Sequence, residues 1–186
     1  EGFLLSKNNF DENSIIIEAF TLNHGKYTGV VYGGSSRKQK GNFQVGNKIL
    51  LNWRSKNENR TGYFNVELIR PVTAFFFDDK KKTVCILAAT SILKILLPER
   101  QINREIYDSF EKMLFGLNSD NWIKLYIYWE FSLIKELGFE ENSKVNYDEN
   151  IKKSLTFNRN LIMKNFIIPN GLKFPLFRNI LENYFL

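Results

Sequence analysis

Up to Pro71 the apolar positions recur every second residue; beyond it they recur every third or fourth. In TGYFNVELI, Phe64, Val66 and Leu68 point one way while Asn65 and Glu67 point the other. In NKILLNWR, Ile49, Leu51 and Trp53 share a face opposite Lys48, Asn52 and Arg54. GFLLS, SIIIEAF and KYTGVVY complete a set of five short strands, separated by Gly-, Asn- and Ser-rich turns. Five strands are enough to close a small barrel. An OB-type barrel fits the pattern, and an SH3-like barrel fits it nearly as well.

The second half reads as helices. KKTVCILAATSILKILLPER places Val84, Leu87, Ala88, Ile92, Ile95 and Leu96 on one stripe that Pro98 ends. In NREIYDSFEKMLFGL, Asn103 is the expected N-cap, with Ile106, Tyr107, Phe110, Met113, Leu114 and Leu117 facing a core. DNWIKLYIYWEFSLIKELG runs from a capping Asp120 to Gly138 and is apolar on nearly every side, as a central helix should be. Its aromatics Trp122, Tyr126, Tyr128 and Trp129 read as packing rather than as a ligand box. EENSKVNYDENIKKS is polar and reads as a loop. In FPLFRNILENYF, Leu176, Phe177, Ile180, Leu181 and Tyr184 form the expected buried stripe behind Pro175. The organisation is α+β: residues 1–72 a five-stranded barrel domain, residues 78–186 an α-helical bundle domain, with a short apolar join, PVTAFFFDD, between them.

The chain has 186 residues, a net charge of +6 and a single cysteine, Cys85, and a single histidine, His24. One thiol forms no internal disulfide, and one Cys with one His cannot fill a structural zinc site. An intracellular chain with no metal and no cofactor is expected. No apolar run approaches the ~20 residues that cross a bilayer, so no membrane role is expected. EGFLLSKNNF lacks a basic n-region and a cleavage site, and it opens in a strand without a Met; a few residues are expected upstream.

Catalysis lacks parts. His24 lies in a turn with no nucleophile beside it, and Asp11/Glu12 and Asp78/Asp79 sit at element boundaries where turn and cap duties account for them. The run GGSSRK lacks the GxxxxGK[ST] spacing and leads into a strand, so it is no phosphate-binding loop of that kind. Charge placement says more. Arg37, Lys38, Lys40, Lys48, Arg54, Lys56 and Arg60 stand against one acid, Glu58, so +6 arises within 24 residues. On two loops and the strand between them, these seven could merge into one basic surface that meets phosphates whatever the base sequence. The Gly33-Gly34 pair lets backbone approach a phosphate. Tyr32 and Trp53 flank the segment; either could stack on bases, and burial in the barrel suits Trp53 at least as well.

The opening GFLLSKNNFDENSIIIEAFTLNHGKYTGVVYGGSSRKQKG resembles that of the bacterial recombination mediator family RecO. The likeness continues through NFQVGNKILLNWRS, through SILKILLPER and into the bulky helix closing ELGF, about three quarters of the chain. It implies an N-terminal OB domain and a helical domain. It also implies binding of single- and double-stranded DNA, annealing of complementary strands, and cooperation with RecR in loading RecA onto DNA coated by single-stranded DNA-binding protein. The acidic C-terminal tail of that last protein would be a further partner, and the setting would be the cytoplasm, at the nucleoid. By position the family's basic loop falls on Arg37, Lys38 and Lys40. Many members carry a cysteine-rich zinc module after the Leu-Gly-Phe helix; EENSKVNYDENIKKSLTFNRN has no cysteine and departs from that pattern. The expectation is a non-catalytic DNA-binding mediator. A protein-tail adaptor without DNA affinity and an RNA-binding OB protein are the alternatives.

Overall fold

A computed structural model describes residues 1–37, 39, 41–55, 62–139 and 150–185. Five strands, β1 (Gly2–Asn9), β2 (Ser14–Thr21), β3 (Gly25–Tyr32), β4 (Lys48–Arg54) and β5 (Gly62–Arg70), precede five helices. These are α1 (Lys80–Leu96), α2 (Arg104–Gly116), α3 (Trp122–Glu136), α4 (Ile151–Ile162) and α5 (Leu176–Asn183). The strands close a barrel in the order β1-β2-β3-β5-β4, antiparallel except for the β3–β5 contact. That contact is short, Gly29 with Gly62 and Val30 with Tyr63. The barrel is the five-stranded, partly open OB type, which decides between the two barrels the strand pattern allowed.

Local chemistry sets the corners. The Asp11 carboxylate accepts from the N–H of Asn13 (2.8 Å) and of Ser14 (2.6 Å), an Asx turn that reverses β1 into β2. Those bonds, that from Asn13 first, hold its carboxyl below the usual range. Asp79 caps α1 through the N–H groups of Lys81 and Lys82, and Asn103 caps α2 through Ile106, as expected.

Two cores follow. One fills the barrel with Leu4, Ile15, Ile17, Ala19, Val31, Phe43, Ile49 and Phe64. The other joins barrel to helices: Phe3, Leu5 and Phe20 pack with Ile92, Leu96, Tyr107 and Phe110. Phe3 lies 5.2 Å from the ring of Tyr107 and 5.1 Å from that of Phe110. Strand β1 is therefore buried on both faces, which is why GFLLS does not alternate. Burying one such side chain contributes roughly 1.5–3 kcal/mol, so the shared core fixes the two halves against each other.

Three helical expectations need correction. In α1 the buried residues are Cys85, Ile86, Ala88, Ala89, Thr90, Ile92, Leu93 and Leu96, while Val84, Leu87 and Ile95 are half-buried. The helix touches barrel and bundle together, so its apolar face is wider than one stripe. Helix α3 begins after Asn121, not at a capping Asp120, and Tyr128 is exposed. The polar segment read as a loop ends in a helix: Asn150 accepts from the N–H of Lys153 and starts α4, so Ile151–Ser154 are its first turn.

The expected stripe of α5 is also overturned. Leu176, Phe177 and Tyr184 are exposed, and the helix buries Arg178, Leu181 and Glu182. Arg178, fully buried, donates twice to Glu130 of α3 (2.6 and 2.9 Å), once to Glu182 (3.1 Å) and once to the carbonyl of Leu155 (2.8 Å). Tyr126 and Asn158 also donate to Glu130. Burial alone would lower the Arg178 pKa, but the facing Glu130 carboxylate overrides it, and the guanidinium stays charged.

Candidate nucleic-acid interface

Of the seven basic residues that the sequence singles out, Lys38, Lys40, Lys56 and Arg60 lie outside the described residues. Arg37, Lys48 and Arg54 are described, and they part ways.

Arg37 and Arg54 are exposed, and neither has a carboxylate partner among the described residues. The register brings their surroundings together. Arg54 ends β4 opposite Tyr63 of β5, and Tyr63 lies beside Val30 of β3. Two residues on from Val30, on the same face, is Tyr32, whose ring stands 5.9 Å from that of Tyr63. Tyr32 is 69% exposed, so this pair presents aromatic surface to solvent. Arg54 flanks the pair on one side. On the other, the chain leaves Tyr32 through Gly33 and Gly34 towards Arg37. The outer wall thus reads cation, two aromatics, cationic loop.

The loop is anchored at its root. Ser35 Oγ donates to the carbonyl of Glu12 at 2.9 Å, tying it to the β1–β2 turn. Gly33 has a left-handed φ of 73° with open space beside it, whereas a Cβ on Gly34 would meet the Ile15 side chain at 2.6 Å. Only Gly33 therefore leaves backbone free for an anion; Gly34 is small because the loop packs on Ile15.

Lys48 corrects the expected set. The β4 register slips between Lys48 and Ile49, so Lys48 leaves the outward alternation of Asn52 and Arg54. Its ammonium lies 2.8 Å from Glu1 and 2.7 Å from Glu111 of α2. Burial would lower its pKa, but the hydrogen bonds to Glu1 and Glu111 outweigh that, and it ends raised. Lys48 is a joint between barrel and bundle, already neutralised.

Trp53 points inward with Leu51 and Val66 on the barrel core, and its ring meets Tyr27 edge to face at 5.5 Å. It does not share the outer wall with Tyr32. The outer face of β1 and β2 is partly covered: Lys94 of α1 pairs with Glu18 at 2.7 Å, and Lys26 donates to the Lys94 carbonyl at 2.8 Å.

Sequence reading missed Tyr63 and Arg70. Tyr63 sits on the polar face of its strand, an alternation signal that was visible. Arg70 needs the fold. Its guanidinium lies 4.3 Å from the ring of Phe115 and 5.9 Å from that of Phe75, both exposed, above a cavity of about 220 Å³ walled by Phe3, Val72, Phe76 and Leu114. Among the described residues no three His, Cys, Asp or Glu side chains gather where a metal would sit, and no helix is long and apolar enough to cross a membrane.

Comparison with known proteins agrees with this architecture. The family description "Recombination protein O N terminal" matches residues 1–72, and "Recombination protein O C terminal" matches residues 78–144. The chain belongs to the RecO family. Similar proteins named DNA repair protein RecO include that of Roseobacter denitrificans, 37% identical over 140 residues (75% of this chain, 58% of the relative). That of Jannaschia sp. is 33% identical over 139 residues, 75% of this chain and 57% of the relative. A Wolbachia relative is 29% identical over 159 residues, 84% of this chain and 65% of its own length. The chain thus spans less than two thirds of these RecO proteins.

Proposed function

We propose that this chain is a non-catalytic DNA-binding mediator of DNA repair and recombination. The observation that carries the reading is the outer barrel wall. Arg54, the Tyr63–Tyr32 pair and the loop through Arg37 follow one another there, and neither arginine faces a carboxylate among the described residues. A phosphate backbone supplies the missing anions, and bases supply partners for the exposed rings. Lys38, Lys40, Lys56 and Arg60 belong to the same two loops and complete the proposed contact set; Lys48 is left out. Lowering the repulsion between two phosphate backbones at this wall would let complementary strands anneal. Cooperation with RecR, loading of RecA, and work at the nucleoid on DNA coated by single-stranded DNA-binding protein belong to this proposal through the family.

The test is salt dependence. With about five cations on single-stranded DNA, log K falls with log salt at a slope near −3.5. A flat dependence overturns the reading. RNA bound better than DNA of equal sequence would favour an RNA-binding OB protein instead.

One observation favours protein binding by the same chain. The cavity under Arg70 joins apolar walls from Phe3, Val72, Phe76 and Leu114, with the Lys48–Glu111 pair also in its lining, to a cation held by two rings and paired to no carboxylate among the described residues. It suits a tail ending in acidic and apolar residues, such as that of single-stranded DNA-binding protein. Arg70→Ala should abolish capture of such a peptide while leaving the salt slope of DNA binding in place.

A further inference from the structure

The barrel has a second aromatic feature, on its inner side. Among the described residues β3 pairs with β5 only at Gly29 and Val30; further back on that flank Lys26 bridges Glu99 of the segment after α1, which leaves Tyr27 and Thr28 between the two contacts. The gap opens as a cleft of about 400 Å³, lined among others by Thr21, His24, Tyr27, Trp53, Arg54 and Phe64. Its size falls within the roughly 300–1,000 Å³ of small-ligand sites, and barrel mouths are a common place for them.

The cleft is built by small residues at the seam. A Cβ on Gly29 would meet the Phe64 ring at 2.5 Å, and one on Gly62 would meet Trp53 Nε1 at 2.4 Å. Paired glycines at the β3–β5 contact thus make room for the two rings that wall the opening. Tyr27 and Trp53 are each half-buried and meet edge to face, at 5.5 Å and 71°, so neither covers the other's face. His24 adds a third ring, 6.4 Å from Tyr27 and nearly perpendicular to it. Arg100 places its guanidinium 5.3 Å from the Tyr27 ring. Among the described residues the lining carries no carboxylate and one cation, Arg54. Arg54 is also the last residue of the outer wall, so a strand lying along Tyr32 and Tyr63 arrives at the mouth of the cleft.

We infer that this cleft is a pocket for a single unstacked nucleobase, laid against the open face of the Trp53 ring beside Tyr27 while Arg54 holds the adjoining phosphate. The inference rests on the DNA-binding reading and adds to it. Outer-wall contacts with phosphate serve any strand alike, whereas the pocket engages only a strand with a base free to leave the stack. It gives the protein a reason to prefer single-stranded over fully paired DNA.

The test compares an oligodeoxythymidine with an abasic strand of equal length. Intact protein should bind the thymidine strand about tenfold more tightly, the scale of one aromatic–base stack. Binding should quench Trp53 fluorescence, and Trp53→Phe should abolish that quench while largely keeping affinity. Trp53→Leu should lower affinity for the thymidine strand about tenfold and leave the abasic strand unchanged. If Trp53→Leu does not fold, His24→Ala and Tyr27→Leu at the rim carry the same comparison. Equal affinity for both strands, with no quench, overturns the pocket and base stacking on Tyr32 and Tyr63, and leaves the phosphate contacts of the outer wall intact. An aromatic peptide that quenches Trp53 while thymidine does not also overturns it. Failure to bind either strand overturns both readings.

Discussion

Arg178 and Arg54 carry the same charge in opposite settings. In the bundle, Arg178 is fully buried, and Glu130, Glu182 and the Leu155 carbonyl accept from it. At the barrel rim, Arg54 is exposed and has no carboxylate near it among the described residues. The difference separates two uses of a cation. A buried one must be matched inside the chain, because an unpaired charge there costs several kcal/mol. One at the surface costs nothing to leave unmatched, and it is available to an outside anion. The folded position of each positive side chain, not the net charge of +6, is what marks an interface.

The largest test of that division removes the internal match. Glu130→Ala strands Arg178 in the core and should lower unfolding free energy by about 3–5 kcal/mol. The double variant Glu130→Leu with Arg178→Met, which removes both charges, should lose less than Glu130→Ala. Urea denaturation measures both. A cost for Glu130→Ala below about 1 kcal/mol would mean the network is not holding α3, α4 and α5 together.

Between the two regions lies the joint, and Tyr107 probes it. Burial pushes its phenol up to about 12, and its hydroxyl is buried without a hydrogen-bond partner. The unfolded chain gives up this proton near pH 10 and the folded chain near pH 12. Its contribution to stability is therefore whole below pH 10 and lost as pH rises towards 12, by about 3 kcal/mol at most. Tyr107→Phe, which removes the hydroxyl without emptying the core, should flatten that alkaline loss. An unchanged loss in the variant would place the sensitive group elsewhere.

Replacing Arg37 and Arg54 by Gln takes away the unmatched cations. Affinity for single-stranded DNA should fall about tenfold, and the salt slope should become shallower by roughly 0.7 for each residue. Thermal stability should barely move, since neither side chain has a carboxylate partner to lose among the described residues. A large drop in melting temperature with the slope unchanged would reverse the assignment.

The strand half was legible because alternation survives wherever one face meets the barrel interior, as at Ile49, Leu51 and Trp53. The five strands and the N-caps Asp79 and Asn103 follow from such local rules. Failures came where two environments share one segment. Helix α1 touches barrel and bundle at once, so a single stripe could not describe it. In α5 Leu176, Phe177 and Tyr184 face out and Arg178 faces in beside Leu181, because Glu130, an acid in the apolar middle of α3, waits for it across the bundle. That acid was visible in LYIYWEFSLI, and an acid among large apolar side chains implies a distant base. At the candidate site, Arg37 and Arg54 were legible from charge. The inward turn of Lys48 was not, because it follows from a slip in register and from Glu111, 63 residues away.

Lys48 gives the smallest and sharpest test, since charge position along the chain groups it with Arg54 and geometry groups it with Arg178. Its side chain keeps 17% exposure, sits between Glu1 and Glu111, and lies 5.9 Å from the Phe3 ring. Lys48→Met keeps most of the buried stem and removes the charge, leaving two carboxylates that are themselves partly open to water. The loss should be near 1 kcal/mol, towards the upper end for a partly exposed ion pair. Because Glu1 is held below the ordinary carboxylate range by its hydrogen bond to Lys48, the pair's contribution is present at neutral pH and lost on acidification through that lowered value. The variant should therefore be less stable than the parent at pH 7 and converge with it in acid. The slope of DNA affinity against salt should not change at all. If it becomes shallower by about 0.7, as for an exposed phosphate contact, then Lys48 exchanges its carboxylates for DNA, and the barrel–bundle joint belongs to the interface.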